Sequence, residues 1–456
     1  MTDRPSTIRT TQALVPAQLG GPVTPPDPCT TRPFVRTGRD FAGRDNAGSE
    51  RDRPISTSAW TNPASASACT VSLLSTYPPT QCGLATFAAA TRAALLLSRP
   101  SWSLPVIRAT GSPSTPIVSS PDIAADWRPS DARSLRHVSR RINDSDCLVL
   151  QHEYGIYGGN DGNEVLDLLD NTSVPVIAVL HTVLSRPSLG QRRIIAELGR
   201  RAACLVVMSD AARDCLLRHY PVPASRVLVI PHGAHPVPYE MPLRKDRRPV
   251  LLTWGLVGPG KGLERAIDAV ARLHRAGVEI DYRIVGETHP KVREREGEQY
   301  RDSLIARASA NGVRDAVSFD ASYRSVADLV PLIADADLVV VPYDSREQVT
   351  SGVLAEALAA GKAIVATAFP HAVEALGSGA GIVVGHDDPV AMADAIGSLL
   401  TDPTRIQHMS RVALREGRRM LWPAVGESLA TLVESVVGAA ATVLDLTANG
   451  DRVEAS

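Results

Sequence analysis

From Cys69 onward, short apolar runs alternate with longer stretches whose apolar residues recur every three or four positions. "TVSLLS" is followed by "LATFAAATRAALLL", and "DCLVLQ" by a stretch of helical spacing over about 162–170. Then come "VPVIAVLH", a helix over about 189–201, "ACLVVMS", a helix over about 210–219, and "RVLVIP". Runs that are apolar at every position, rather than at alternate ones, suit strands buried on both faces. Separated by helices, they predict a parallel sheet covered on both sides.

The pattern restarts after the polar stretch "MPLRKDRRP". "VLLTWGLV" precedes a segment with Leu263, Ile267, Val270 and Leu273 on one helical face, the spacing of a helix packed on a sheet. "DYRIVG", a charged helix over about 291–310, "AVSF", a helix over about 325–335, "DLVVVPY", "AIVAT" and "GIVV" follow. The prediction is two consecutive doubly wound α/β domains, residues 69–238 and 248–422, then a last helix over 423–440. Residues 1–68 are rich in Pro, Thr, Ser, Ala and Arg without periodicity, so they are expected to form a disordered extension. Residues 441–456 are expected to be a disordered tail.

Composition narrows the class. A length of 456 residues suits two domains, and a net charge of −1 argues against a nucleic-acid partner. Cys29, Cys69, Cys82, Cys147, Cys204 and Cys215 show no metal-ligand spacing and read as free thiols. The charged start has no apolar stretch behind it, and no apolar run is long enough to span a bilayer. These features predict a cytoplasmic protein without a membrane span, with peripheral membrane contact left open.

In doubly wound sheets, ligands bind beyond the carboxyl ends of the strands. His181, Ser209, His232, Gly255, Gly286 and Tyr343 all stand just after predicted strands. The segment "QVTSGVLAEALAAGKAIVAT" opens a helix at Thr350-Ser351-Gly352. The first amides of a helix have no internal partner and carry the positive end of its dipole, which makes an anion site. Glu356, one turn further on, is placed to accept sugar hydroxyls. The same residues would also serve as a plain helix cap and a solvated carboxylate. In "WGLVGPGKGLERAI", Lys261 stands where a helix begins and can offer a charge to a phosphate, but both the Walker spacing and GxGxxG are missing. Gly83 lies between a strand and a helix in "STYPPTQCGLATF". His152, in "LQHEYGIYGGNDGN", joins His181 and His232 as strand-end histidines that predict a polar cleft floor. Asp335-Ala336-Asp337 matches the DxD pattern of metal-binding transferases. Its first Asp ends a helix and its second starts a buried strand, so its role is structural.

Taken together, these residues resemble the retaining glycosyltransferases of family 4, enzymes of the GT-B fold, over about residues 70–438. The turn G-R-L-x-x-x-K-G of that family reads Gly255-Leu256-Val257-Gly258-Pro259-Gly260-Lys261-Gly262 here. Its acidic pair, Glu and Glu separated by seven residues, reads Gln348 and Glu356. "VIPHGA" resembles its strand before the linker, and "MLWPAVGESLATLVESV" its last helix, which crosses back onto the first domain. The resemblance implies two facing Rossmann-like domains and transfer of a hexose from a nucleotide diphosphate sugar to a sugar, lipid or other hydroxyl acceptor. No cofactor and no metal are implied. Lys261, His181 and Gln348 would be catalytic. Gly83, Gly258, Gly286, Ser351, Gly352, Val353 and Glu356 would bind the donor, with the Ser351-Gly352 amides on its diphosphate. His152, Tyr154 and Arg186 are acceptor-side candidates. Leu256 stands where the family has Arg, and Lys291, Arg293 and Arg186 are candidates to replace that charge. A same-fold epimerase or phosphorylase, or a non-catalytic nucleotide-sugar binder, stays open.

Overall fold

The computed structural model describes residues 68–110, 120–238 and 247–453. The extension expected over residues 1–68 lies outside them, except for its last residue. In the first lobe the order is β1 (Val71–Ser75), α1 (Gly83–Ser98), β2 (Val106–Ala109), β3 (Ile123–Trp127) and α2 (Ala132–Asn143). Next come β4 (Cys147–His152), α3 (Val165–Asp170), β5 (Val176–Leu180) and α4 (Leu189–Arg201). The lobe ends with β6 (Cys204–Val207), α5 (Asp210–His219) and β7 (Val227–Val229). Its sheet is parallel, in the order β3-β2-β1-β4-β5-β6-β7.

The apolar pattern does not reveal β2, β3 and α2, for a physical reason. Arg108 on β2 is buried and forms a two-pronged pair with Asp126 on β3, at 2.7 and 2.9 Å. A charge in each strand interrupts the apolar run that a sequence reader looks for, while the pairing makes burial tolerable.

The second lobe opens with β8 (Val250–Trp254), α6 (Leu263–Arg275), β9 (Asp281–Val285), α7 (Pro290–Glu296) and α8 (Gln299–Ala310). It continues with β10 (Val317–Asp320), α9 (Val326–Asp335), β11 (Leu338–Val341) and α10 (Gly352–Ala359). Then follow β12 (Ala363–Thr367), α11 (Pro370–Leu376), β13 (Gly381–Val384), α12 (Pro389–Leu400) and α13 (Pro403–Gly417). This sheet is also parallel, in the order β10-β9-β8-β11-β12-β13. The single helix expected over 291–310 is two helices, because Gly297 takes a left-handed backbone with φ 61°. Asp337 is buried at the start of β11, where it accepts from Arg247 and the Val250 amide, both at 2.7 Å. Its structural reading stands.

The last helix, α14 (Trp422–Val453), leaves the second lobe and packs on the first. Val425, Leu429, Ala430 and Val433 are buried in one cluster with Val71, Leu73 and Leu95. Arg99, at the end of α1, clamps it by donating to Glu427 and Glu434 at 2.6–3.0 Å. The helix runs on through residues expected to form a tail. Residues 439–448 carry neither Gly nor Pro, and a helix already nucleated by packing propagates through such a run. Among the described residues, no helix is long and apolar enough to cross a membrane.

In each sheet the chain reverses its direction of strand addition beside the first strand, at β1/β4 and at β8/β11. Loops leaving those strands diverge and open a crevice. That crevice holds the site.

Candidate active site

A cleft of about 340 Å³ lies between the lobes, bounded by loops after β1, β5 and β7 on one side and β8, β9, β10 and β11 on the other. The lobes touch around it. Thr86 and Tyr323 hydroxyls are 2.7 Å apart, and Ser209 Oγ donates to the Val349 carbonyl at 2.5 Å. The Glu374 carboxylate accepts the Asp210 and Ala211 amides at the start of α5, at 3.1 and 2.7 Å.

Lys261 reaches the cleft from the turn after β8. Gly262 makes that turn possible: its φ is 63°, and a Cβ there would stand 1.8 Å from the Pro342 carbonyl oxygen. The Lys261 ammonium lies over the Tyr343 ring, 4.4 Å from its centre. Among the described residues, no carboxylate pairs with it.

Opposite stands the mouth of α10. Ser351 caps the helix, its Oγ accepting the Leu354 amide at 3.2 Å. Of the amides expected to bind an anion, that of Ser351 is taken: it donates to His371 Nδ1 at 2.9 Å. The next two, on Gly352 and Val353, begin the helix and line the cleft. A Cβ on residue 352 would stand 2.9 Å from His232 Cε1, so only glycine fits between the helix start and that ring. Gln348 lines the cleft with its Nε2 turned towards the Thr350 carbonyl, its hydrogen-bond acceptor.

One turn into α10, Glu356 points at the end of β8. Its Oε2 accepts from Trp254 Nε1 at 2.9 Å, and its Oε1 is 3.9 Å from His235 Nδ1. The first lobe answers with imidazoles. His181 lies 2.7 Å from Gln151 Oε1 through Nε2, and its ring meets Phe87 edge-on at 4.7 Å. Burial, helped by neighbouring His232 and His152, pulls its pKa down to about 3. Burial likewise lowers that of His232, whose Nδ1 donates to the Gly233 carbonyl at 2.8 Å. Both rings are therefore neutral near pH 7. The first lobe thus offers polar, uncharged groups, while the second offers charge.

The family described as Glycosyl transferases group 1 matches residues 248–402, and that described as Glycosyltransferase Family 4 matches residues 95–236. The chain belongs to the family 4, group 1 glycosyltransferases, of GT-B fold. It is similar to alpha-D-kanosaminyltransferase of Streptomyces kanamyceticus, 29% identical over 47% of this chain and 55% of that one. It therefore spans about half the length of that relative. It is also similar to D-inositol 3-phosphate glycosyltransferase of Nocardia farcinica, 28% identical over 68% of this chain and 70% of that one. Among solved structures, Anabaena Alr3699/HepE in complex with UDP and glucose shares the fold. Its TM-score is 0.62 at 16% identity, over 80% of this chain and all of that one (100%).

Within this GT-B architecture the cleft gathers Lys261, His181, Gln348, Gly83, Gly286, Ser351, Gly352, Val353 and Glu356. Other candidates fall elsewhere. Gly258 lines an adjacent cavity. His152 is fully buried beneath the first-lobe loops, away from the cleft lining, and burial pulls its pKa down to about 4. Tyr154 packs on the first-lobe core, its ring edge-on to His152 at 5.1 Å. Arg186 is exposed outside the cleft lining, because the loop after β5 turns away beyond Val183, which is itself buried in the core. The cleft also contains Phe87, His235, Trp254, Glu287, Tyr323 and Trp422, which sequence reading did not select. Glu287 and Tyr323 follow strands and Trp422 starts a helix, a positional signal the sequence carries, whereas Phe87 and Trp254 lie within elements. Aromatic residues at such places read as core until the two lobes are brought together.

Proposed function

We propose that this protein moves a hexose from a nucleotide diphosphate sugar to a hydroxyl acceptor, with retention of configuration and without a metal. One observation carries the reading: Lys261, the free Gly352 and Val353 amides, and Glu356 all border one interlobe cleft. A cation and a helix start suit a diphosphate, and a carboxylate one turn beyond suits the ribose hydroxyls. The solved structure holding UDP and glucose on the same fold supports a nucleotide sugar as donor.

In this mechanism Lys261 and the amides stabilise negative charge as the sugar–phosphate bond breaks, which is where preorganised donors lower a barrier most. The leaving phosphate takes the acceptor proton on the face it departs from. The acceptor oxygen then forms the new bond on that same face, so configuration is kept. Trp254, holding one oxygen of Glu356, leaves the other towards the ligand. His181, neutral, exchanges hydrogen bonds with a sugar hydroxyl without repelling or attracting the departing charge. Gln348 contacts the hexose after releasing the Thr350 carbonyl.

The test is release of nucleoside diphosphate from UDP-, GDP- and ADP-hexoses, with and without a panel of sugar, inositol phosphate and lipid acceptors, in the presence of a chelator. Release that depends on acceptor and survives chelation is expected. Free phosphate consumption would point to a phosphorylase, and binding without turnover to a carrier.

A further inference from the structure

We infer that Lys291, on the second lobe beside the glycine turn, is a second diphosphate-binding cation working with Lys261. This rests on the donor reading above and adds a residue to it.

Beside the cleft lies a second cavity of about 520 Å³, and the two share Lys261 and Leu256 on their common wall. Gly258, His289, Lys291 and Arg295 help line its remainder, with Glu294 as the carboxylate among its lining residues. The backbone explains why Lys291 is there. Pairing of β8 with β9 continues past the strand ends: Gly255 N donates to the Val285 carbonyl at 3.0 Å and Val257 N to Glu287 at 2.9 Å. His289 N returns the pattern to the Val257 carbonyl at 2.8 Å. This zipper draws the start of α7 against the glycine turn. His289 then caps that start, its Nδ1 accepting the Lys291 amide at 3.2 Å.

The Lys291 side chain has few competing calls on it. It is exposed, and among the described residues no carboxylate lies within salt-bridge distance of it or of Lys261, although its charge acts on the Glu153 carboxylate. Arg293, two residues on, is already engaged with Glu287 at 3.2 Å. Across the interlobe opening, the Lys291 ammonium stands 3.6 Å from where a Cβ on Gly155 would be. The nearby first-lobe carboxylate of Glu153 is occupied by the Thr182 hydroxyl at 2.7 Å and the Tyr154 amide at 2.8 Å. Both lysines act on the His289 ring, which burial and their charges hold below its usual pKa. The two ammonium groups, with the Glu153 carboxylate acting only on Lys291, leave net positive charge beside the turn for an anion to meet. A terminal phosphate with two charges answers both, whereas a monophosphate further inside meets only one.

Leu256 supplies an internal control, since a guanidinium built there would open onto both cavities. The experiment is calorimetric titration with UDP, GDP and ADP and the matching monophosphates. It compares wild type, Lys291→Ala, Lys291→Arg and the double variant Lys291→Ala with Leu256→Arg. For the base that binds most tightly, Lys291→Ala should weaken the diphosphate about tenfold, as loss of one charge-assisted contact does, and change the monophosphate less than about twofold. Lys291→Arg should retain most of the diphosphate affinity, and Leu256→Arg should restore part of it. Unchanged diphosphate affinity in Lys291→Ala overturns the inference, and so does equal weakening of both nucleotides. If the wild type binds no diphosphate, the donor reading and this inference fall together. Lys291-dependent binding without acceptor-dependent turnover overturns the transferase reading and leaves Lys291 in place.

Discussion

The two lobes share an architecture but meet the cleft with different chemistry. The second lobe brings an ammonium set over the Tyr343 ring, open helix amides and a carboxylate held by an indole. The first brings His181 and His232, both neutral through burial and backed by Phe87. The difference suits the roles that the proposed transfer gives each side. Charge that builds on a leaving diphosphate is best met by fixed charge and dipoles in a partly dry site. The side that meets a neutral hydroxyl gains nothing from a fixed charge, which would only cost desolvation.

The comparison is broken most severely at Lys261. Its replacement by Ala should lower turnover roughly a hundred- to a thousandfold, the usual cost of one preorganised stabilising group, with the fold intact by circular dichroism. Turnover close to wild type would mean that charge on the second lobe is not what drives the reaction.

Glu356→Ala should act in another way, raising the Michaelis constant for donor roughly ten- to a hundredfold with a smaller loss of turnover, because ribose contacts are the same before and after bond breaking. Trp254→Phe, which removes the 2.9 Å bond to Glu356, should shift the same constant in the same direction by only a few-fold. A turnover defect in Trp254→Phe without that shift would separate the two residues. Both constants are read from donor titrations at saturating acceptor.

Gln348→Ala sharpens the contrast within the second lobe. Steady-state rates should fall about fivefold, the scale of one neutral hydrogen bond, while nucleoside diphosphate affinity measured by calorimetry holds. Equal loss in both would show that Gln348 serves the nucleotide end.

The neutral histidines make a prediction about stability. His152 and His371 are buried, and burial pulls their pKa values down to about 4 and about 3. A base whose folded pKa is depressed binds protons first in the unfolded chain. Its stabilising contribution is therefore full above about pH 6.5 and is lost as pH falls below that towards the folded values. Each should cost on the order of 2 kcal/mol by pH 5, with half-buried His181 adding less. Denaturant unfolding followed from pH 7.5 to 5 should show the loss, and a flat profile would contradict the burial of neutral rings.

Much of this protein could be read from its residues in order. Continuous apolar runs separated by amphipathic stretches require two covered parallel sheets, because only that arrangement buries both faces of such strands. Lys261, the Ser351-Gly352 helix start and Glu356 were legible for a local reason: each lies in the loop or the first turns of the helix that follow a strand, and that end of such sheets faces the ligand. Three kinds of fact depended on tertiary structure. Strands β2 and β3 hid because their charges pair with each other across the sheet, a partnership 18 residues apart in the chain. The Ser351 amide read as open until α11 brought His371 against it. Trp254 and His235 were not singled out by the sequence, and Lys291 stood unranked beside Arg293 and Arg186 as a replacement charge, since a side chain's chemistry depends on which distant group it meets. Local sequence sets periodicity and the reach of each residue; only the packing of one lobe on the other decides which polar atoms are already satisfied and which remain for a ligand.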